Sequence, residues 1–252
     1  MSDEVENLYN ESSNRWVRNK PTSLSDFTAR QRIFELLEGT CQGLDVVDVG
    51  CGEGYCSRWL LDQGVASVKA FDLSEEMIAR AQSTMSDADG GRVDYTVGDA
   101  SKIDFSDGVF DLGLGVFVYN YMDVSAMKKS MAEVYRILRD GGRFVFSVPH
   151  PSLPFLGENQ EPFYFDQKGK GYFESRDEVF EGEIWRLDGV PLGVMARHKL
   201  IDDYFTGLAE AGFSKMPLVE ELGVRPEHLE EHGAFFGPIA ELPLHLLFQV
   251  EK

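Results

Sequence analysis

The chain has 252 residues, 43% of them hydrophobic, and a formal net charge of −19 at pH 7. This length allows a sizeable core and favours one domain over residues 1–252, while the acidic balance argues against a nucleic-acid partner, which needs a basic surface. No apolar run reaches the roughly 18 residues of a membrane span, and no export signal is recognised, so a cytoplasmic protein with no membrane partner is predicted.

The cysteines and histidines point to no metal site. Cys41, Cys51 and Cys56 form neither a C-x-x-C pair nor a paired zinc spacing, and the five histidines are scattered. An odd number of cysteines without an export signal fits a reducing compartment. The acidic charge is typical of a solvated surface, with attraction of a cationic substrate such as an amine as the alternative.

Residues 1–43 are predicted to form a mostly helical arm. Apolar and aromatic side chains recur over 7–20 and again over 23–38, which indicates two helices. Gly39 follows the second helix, as expected at a helix end.

The stretch 46–55 is the most informative part of the chain. An apolar run carrying Asp48 leads into a loop with glycine at every second position, namely Gly50, Gly52 and Gly54. The loop opens into 56–61, which has helical apolar spacing. A strand, a glycine turn and a helix N-terminus in this order make a nucleotide-binding corner.

Details of the loop narrow the choice of nucleotide. A dinucleotide fingerprint needs a third glycine where Tyr55 stands, and Glu53 inside the loop would repel a phosphate. No P-loop motif occurs anywhere in the chain. A glycine corner with carboxylates suits a nucleoside that lacks phosphate and carries a positive charge. S-adenosylmethionine, a sulfonium with an α-amino group, is such a ligand.

Four further strands are predicted downstream, over 66–71, 93–98, 110–117 and 143–148. The first of these ends at Asp72, about twenty residues past the glycines, where an acid can accept both ribose hydroxyls. Strands that alternate with helices imply parallel pairing through right-handed crossovers.

These residues resemble the class I S-adenosylmethionine-dependent methyltransferases, in particular their small-molecule, type 11-like branch. The resemblance is close over 44–150. It implies an α/β, Rossmann-like, seven-stranded and mostly parallel sheet flanked by helices, with the last strand antiparallel. The arm 1–43 would be a lid, 44–148 the cofactor-binding core, 149–199 a substrate cap inserted after the fifth strand, and 200–252 the completion of the sheet.

The resemblance assigns cofactor contacts residue by residue. The methionine part of S-adenosylmethionine, and of its product S-adenosylhomocysteine, would be lined by Asp48, Gly50, Cys51, Gly52 and Gly54. Gly115 and Val116 would offer backbone carbonyls to the amino group. Many relatives have a polar residue where Val116 stands, so only a backbone role is predicted there. Asp72 would hold the ribose.

The adenine and the lid are assigned in the same way. Leu73 and Met77 would pack near the adenine. The turn at Asp99 and Ala100 would meet its edge, with the Asp99 carboxylate accepting from the exocyclic amine. Trp16 of the arm would cover the methyl-transfer site, or would merely anchor the arm on the core.

The insertion 149–199 is long and rich in aromatic residues. Prolines begin it, and short strands are predicted over 183–187 and 194–198. An aromatic excursion at the C-terminal end of a parallel sheet predicts a cap around a planar or cationic small molecule, with a small satellite core as the alternative. A helix over 201–211 and strands over 215–219 and 244–250 follow.

Polar groups suited to catalysis follow the fourth and fifth strands: Tyr119, Asn120, Tyr121 and His150. His150 is predicted to be the base or orienting residue, because histidine titrates near neutrality, although a tight turn could equally satisfy its ring. Tyr119 would orient the acceptor through its hydroxyl, or would pack below the cofactor. Methyl transfer needs mainly alignment and exclusion of water, so a base is dispensable for some acceptors.

The leading hypothesis is therefore methyl transfer by in-line displacement to a nitrogen or oxygen of a small-molecule acceptor. One alternative is a protein or tRNA methyltransferase, which the acidic charge and an occluding cap disfavour. Another is a regulatory or partner protein that binds S-adenosylmethionine without turnover. A nicotinamide dehydrogenase is disfavoured by Glu53 and Tyr55.

Overall fold

A computed structural model of the chain describes residues 20–86, 89, 91–156 and 162–252. The first predicted helix of the arm, over 7–20, includes Trp16. Except for Lys20, it lies outside the described residues. The described arm forms a π-helical turn, Asp26–Arg30, that continues into helix α1, Gln31–Leu37. The Asp26 carboxylate accepts the backbone amide of Ser23 at 2.9 Å and so holds the start of this segment.

Seven strands form one mixed sheet in the order β3-β2-β1-β4-β5-β10-β9. Their bounds are Asp45–Val49 (β1), Ser67–Asp72 (β2), Val93–Val97 (β3), Phe110–Val116 (β4), Leu138–Pro149 (β5), Leu218–Leu222 (β9) and His245–Glu251 (β10). Strands β1 to β5 pair in parallel, whereas β10 is antiparallel to both β5 and β9. The predicted Rossmann-like sheet with an antiparallel last strand is confirmed.

Helices connect the parallel strands and cover the sheet. They are Tyr55–Asp62 (α2), Glu75–Ser83 (α3), Val124–Ile137 (α4), Leu153–Leu156 (α5), Ile201–Ala211 (α6) and Pro226–Phe236 (α7). Two of them begin at side-chain caps: Ser74 accepts the Met77 amide at 3.2 Å and Asp123 accepts the Ala126 amide at 2.7 Å. Such caps satisfy backbone donors at the N-terminus and place the helix start at a defined residue.

The insertion after β5 contains a sheet of its own. Strands Phe163–Phe165 (β6), Val179–Trp185 (β7) and Pro191–Arg197 (β8) pair antiparallel in sequence order. Its aromatic side chains share a buried cluster with Leu24 of the arm and Phe236 of α7. The cap thus packs on the arm and on the C-terminal part of the chain.

Two buried clusters fill the space between the main sheet and its helices. The one under α4 and α6 is rich in aromatic residues, and includes Phe144 and Phe146 stacked against Phe213 and Phe248. The other lies under α1 and α2. In the part of the chain that the structure describes, no helix combines the length and apolarity needed to cross a membrane.

Some element boundaries differ from the sequence prediction. Strand β5 starts at Leu138, directly after α4, because Leu138 pairs with Phe110 across a bulge, whereas the glycine pair at 141–142 suggested a later start. Strand β9 lies at 218–222 rather than 215–219. Helix α7 was not predicted; it begins with Pro226 at its first position, a recognised start signal.

Candidate functional site

A cavity opens where the carboxyl ends of β1, β2 and β4 meet, the position at which open α/β sheets bind ligands. Its empty volume is about 1000 Å3 with the open mouth included. We name it the glycine-loop cavity. Among the residues lining it are Asp48, Gly50, Cys51, Gly52, Glu53, Asp72, Leu73, Met77, Gly98, Ala100 and Val116, together with Arg30, Phe117, Tyr121 and Met122.

The glycine loop folds tightly onto β2. The backbone amides of Gly50 and Cys51 both donate to the Phe71 carbonyl, at 2.9 and 3.0 Å. A Cβ on Gly50 would lie 2.6 Å from the Val118 side chain, so a larger residue does not fit there. A Cβ on Gly52 would meet nothing within 4 Å, which leaves bare backbone facing open space for a ligand.

Asp72 ties the loop to the end of β2. Its carboxylate accepts the Gly52 amide at 2.9 Å and the Ser74 amide at 3.0 Å. Burial raises the pKa of this carboxyl, and the backbone donors partly offset that effect. The carboxylate lines the cavity and keeps lone pairs for further donors.

Asp48 supplies a second carboxylate from the end of β1. It is buried and accepts the Ser57 hydroxyl at 2.6 Å. Burial raises the pKa of Asp48 to about 6, so the group is mostly ionised at neutral pH. The thiol of neighbouring Cys51 stays protonated, because burial and the two aspartates raise its pKa. The acidic lining suits a ligand with positive charge.

Gly54→Ala should destabilise the fold through a steric clash. Gly54 has φ +82°, and a Cβ there would lie 2.6 Å from the Tyr95 hydroxyl. Gly43 is the matched control, since it has φ +76° but nothing within 4 Å of a Cβ. We expect Gly54→Ala to lower the free energy of unfolding by about 1–2 kcal/mol more than Gly43→Ala, measured by urea titration. Equal losses would contradict the close contact with Tyr95.

A second cavity, which we name the cap cavity, adjoins the first and has an empty volume of about 630 Å3. Its walls come from the arm, the strand ends and the cap sheet, and are mostly apolar. The lining residues are Leu24, Ser25, Arg30, Phe117, Asn120, Tyr121, Pro149, Leu153, Phe163, Phe165, Ile184, Val194, Met195, Ala196 and His245. The polar residues Asn120 and Tyr121, singled out from the sequence, both lie here.

Three residues, Arg30, Phe117 and Tyr121, line both cavities. Phe117 has φ +59°, an unusual conformation for a bulky residue, and its amide donates to the Ser147 carbonyl at 2.9 Å. The Arg30 guanidinium lies 5.0 Å from the centroid of the Phe117 ring. Strained backbone of this kind concentrates at functional sites, and here it stands at the boundary between the two cavities.

Sequence reasoning did not find Arg30, Phe117 or His245. His245 is buried at the start of β10, where its Nδ1 lies 2.8 Å from the Thr28 hydroxyl. A signal for it existed, since it is the one polar residue in the apolar run 244–248. Nothing in the sequence marks Phe117 or Arg30, because the arm and the end of β4 meet only in the folded chain.

Both residues predicted to be catalytic lie outside the residues lining the cavities. Tyr119 is fully buried, packs edge-on against Phe144 and Phe146, and has its hydroxyl 3.3 Å from that of Ser130. This placement does not fit an acceptor-orienting role and corresponds to the alternative of a packing residue.

His150 sits in a tight turn. Its Nδ1 accepts the Ser152 amide at 3.2 Å and its Nε2 lies 3.3 Å from a Glu221 oxygen. Burial lowers the pKa of His150, with Glu221 opposing that effect. Both ring nitrogens are thus engaged within the protein, so the geometry does not fit the predicted base and matches the alternative of a histidine satisfied in its turn.

Three predicted cofactor contacts are displaced from the cavity surface. Gly115 packs against Phe146 and Val118, while the lining begins one residue later at Val116. Gly54 packs closely against the Tyr95 side chain, which a Cβ at this position would prevent. The Asp99 carboxylate is exposed and accepts the Ser101 amide at 2.8 Å, between the lining residues Gly98 and Ala100.

Lys199, just after β8, joins the cap to the wall of the glycine-loop cavity. Its Nζ donates to the backbone carbonyls of Met122 and Arg197. Burial lowers the pKa of Lys199 to about 7, with Asp177 partly opposing that effect. Among the described residues, no group of histidine, cysteine and acidic side chains is arranged to hold a metal ion.

The strand order and the position of the glycine-loop cavity place the protein in the class with a Rossmann-like fold. Comparison with known proteins gives a more specific likeness within this class. Residues 46–142 match the family model described as a methyltransferase domain. A structure of an S-adenosylmethionine-dependent methyltransferase from Mesorhizobium loti superposes with a TM-score of 0.68, at 24% identity, over 90% of this chain and 99% of that one. At 24% identity, this superposition shows only that the two proteins have a similar fold.

Two relatives match the same part of the sequence. The malonyl-[acyl-carrier protein] O-methyltransferase of Pectobacterium atrosepticum is 32% identical over 121 residues, which cover 48% of this chain and 44% of that protein. The demethylmenaquinone methyltransferase of Leptospira interrogans is 33% identical over 132 residues, which cover 48% and 49%. The chain thus spans about half the length of these relatives. The match over residues 46–142 to a methyltransferase domain agrees with the resemblance found in the sequence.

Proposed function

We propose that the protein transfers a methyl group from S-adenosylmethionine to a small molecule held in the cap cavity. The observation that carries this proposal is the pair of adjoining cavities with a common wall of Arg30, Phe117 and Tyr121. One cavity has the acidic, glycine-lined character of a sulfonium nucleoside site, and the other is a mostly apolar chamber under the cap.

The chemistry of the glycine-loop cavity suits S-adenosylmethionine. Asp48 and Asp72 offer carboxylates to the positive end of the ligand and to its ribose hydroxyls. Gly52 presents bare backbone, and Leu73 and Met77 add apolar surface for the adenine. Contacts to Asp99 and to the backbone at Val116 belong to the same proposal.

The dimensions of the cap cavity support a small acceptor. Side chains of β6, β7, β8 and the arm form much of its wall, and a pocket of this size suits a metabolite better than a folded macromolecule. The names of the two relatives point to different methyl acceptors. The acceptor of this protein is therefore inferred from the residues that line its own cap cavity. The proposed acceptor site is lined by described residues of the arm, the cap and the strand ends.

In this proposal the side chains of the protein mainly align the acceptor with the methyl group and exclude water from the site. S-adenosylmethionine supplies a methyl group already activated on a sulfonium, so the protein needs chiefly to orient the acceptor. Phe117 and Tyr121 separate the two cavities and shape the passage between them. The apolar cap walls keep water from the reacting groups, which strengthens electrostatic interactions inside the site.

Isothermal titration with S-adenosylmethionine and S-adenosylhomocysteine, with NAD as the control, tests the first half of the proposal. We expect both sulfur nucleosides to bind at micromolar concentration and NAD not to bind. Incubation with a methyl-labelled donor and pooled metabolites tests the second half. Binding without label transfer to any acceptor would favour a regulatory protein, and binding of NAD alone would refute the assignment of the glycine loop.

A further inference from the structure

His245 has features that the packing of β10 does not need. It is 4% exposed, lines the cap cavity and meets the Phe117 ring edge-on at 5.0 Å between centroids. Its surroundings in the cavity are mostly apolar, so the hydrogen-bond partners of the two imidazole nitrogens decide what this residue can do.

The contacts of the Thr28 hydroxyl with Leu24 and His245 favour one tautomer of the His245 ring. The Thr28 hydroxyl donates to the Leu24 carbonyl at 3.0 Å, and a carbonyl can only accept. A hydroxyl has a single proton, so when it is given to the Leu24 carbonyl the Thr28 oxygen acts as acceptor toward Nδ1 of His245, 2.8 Å away. In this arrangement Nδ1 carries the ring proton and Nε2 carries a lone pair. Burial, with the nearby charge of Arg30 and with His150, lowers the pKa of His245 to about 3, so the ring is neutral at physiological pH.

A second acceptor belongs to a residue of the same chamber. Asn120 lines the cap cavity, and its buried Oδ1 atom has no hydrogen-bond partner among the described residues. Leaving a buried acceptor unsatisfied costs about 1–3 kcal/mol, which a ligand with a donor group would recover. Two acceptors in one apolar chamber match a ligand that brings hydrogen-bond donors.

The charges of the chamber oppose a cationic ligand. Of the described side chains that line it, Arg30 alone carries a formal charge, and its guanidinium pairs with Asp26 at 2.9 Å. No lining carboxylate from the described residues is available to an ammonium group. The cationic acceptor considered from the acidic composition therefore does not suit this cavity.

We propose that the cap cavity binds a neutral, largely apolar molecule whose hydroxyl donates a hydrogen bond to Nε2 of His245, with Asn120 as a second acceptor. His245 is then a positioning residue that orients the hydroxyl of the methyl acceptor, and Thr28 holds its ring in the required tautomer. This inference rests on the proposed function, since it names the acceptor class of the same site.

Matched probes test the inference on the full chain saturated with S-adenosylhomocysteine. Thymol is an apolar ring with one hydroxyl, its methyl ether lacks the donor, and benzylammonium carries a positive charge. We expect thymol to bind at least about ten-fold more tightly than the ether, because the ether leaves Nε2 unpaired. Benzylammonium should bind more weakly than thymol. Calorimetry measures all three.

Variants separate the hydrogen bond from general packing. His245→Phe keeps the aromatic volume and should abolish the preference for thymol while leaving the affinity for S-adenosylhomocysteine unchanged. His198→Phe is the matched control, because His198 is equally buried in the cap, bonds the Tyr172 carbonyl at 2.9 Å and does not line the cavity. It should keep the preference.

Two measurements keep the test valid if His245→Phe does not fold. Thr28→Val removes the oxygen that holds Nδ1–H and should reduce the preference for thymol. Nitrogen NMR of the unmodified protein with isotope-labelled histidine should show His245 protonated at Nδ1 alone, and a proton at Nε2 would overturn the inference.

The failures of the two proposals are distinguishable. Absent binding of S-adenosylhomocysteine would refute the proposed function. With that binding intact, equal affinity for thymol and its ether, no binding of either, or a preference that survives in His245→Phe would refute the inference alone.

Discussion

Asp72→Ala is expected to weaken the binding of S-adenosylhomocysteine about ten- to a hundred-fold, or roughly 1–3 kcal/mol. The substitution removes the carboxylate proposed to hold the ribose. It also removes the acceptor of the Gly52 and Ser74 amides, which keeps the glycine loop against β2. Calorimetry on the folded variant measures the loss.

Asp111→Ala is the matched control for this substitution. The Asp111 carboxylate also accepts a backbone amide, that of Asp45 at 2.9 Å, but it stands near the start of β4, at the opposite end of that strand from the cavity. Asp111→Ala should lower stability and leave the affinity unchanged. Unaltered affinity in a folded Asp72→Ala variant would remove the ribose assignment.

Lys199→Met is expected to change how stability depends on pH. The pKa of Lys199 is lowered to about 7 in the folded chain, whereas an unfolded lysine titrates near about 10.4. Between these values the unfolded state binds more protons, so the contribution of Lys199 to the free energy of unfolding rises with pH. Below about pH 7 its charge is buried at a cost. The unmodified protein should therefore gain stability relative to Lys199→Met as pH rises. The free energy of unfolding of Lys199→Met minus that of the unmodified protein should fall accordingly.

Urea unfolding at about pH 6 and about pH 9 measures this difference, which we expect to change by more than about 1 kcal/mol. Lys69→Met is the control, because Lys69 pairs with Asp94 at 3.1 Å on the surface, where such pairs contribute little. Its difference should stay constant within about 0.5 kcal/mol. A parallel response of the two variants would show that the Lys199 amine is not buried as the structure has it.

The proposed class of acceptor depends on the tertiary structure. Three polar residues of the cap cavity come from the arm (Arg30), the turn after β4 (Asn120) and the start of β10 (His245), which are distant in the chain. Their chemistry favours a neutral hydroxyl compound over the amine that the overall charge suggested. Net charge describes the whole surface, whereas recognition depends on the few groups that face the ligand.

Local patterns were sufficient for the sheet and for much of the lining of the glycine-loop cavity. The helix predicted over 201–211 occupies Ile201–Ala211, because its apolar spacing and the glycine after it act over neighbouring residues. The glycine loop and Asp72 also follow from strand ends, since the carboxyl ends of parallel strands meet at one edge. Asn120 and Tyr121, which the sequence placed among the polar groups suited to catalysis, both line the cap cavity.

What the sequence determined by itself is the fold, the glycine loop and the acids at the strand ends, because these depend on periodicity and on short-range geometry. Only the tertiary structure decided which polar side chains face a cavity. Tyr119 and His150 follow strands as predicted, yet the backbone turns their rings toward the core and toward Glu221. His245 reaches the cavity because β10 lies antiparallel beside β5 and its first residue pairs with Pro149. Such side-chain directions depend on contacts between distant segments, which no local pattern contains.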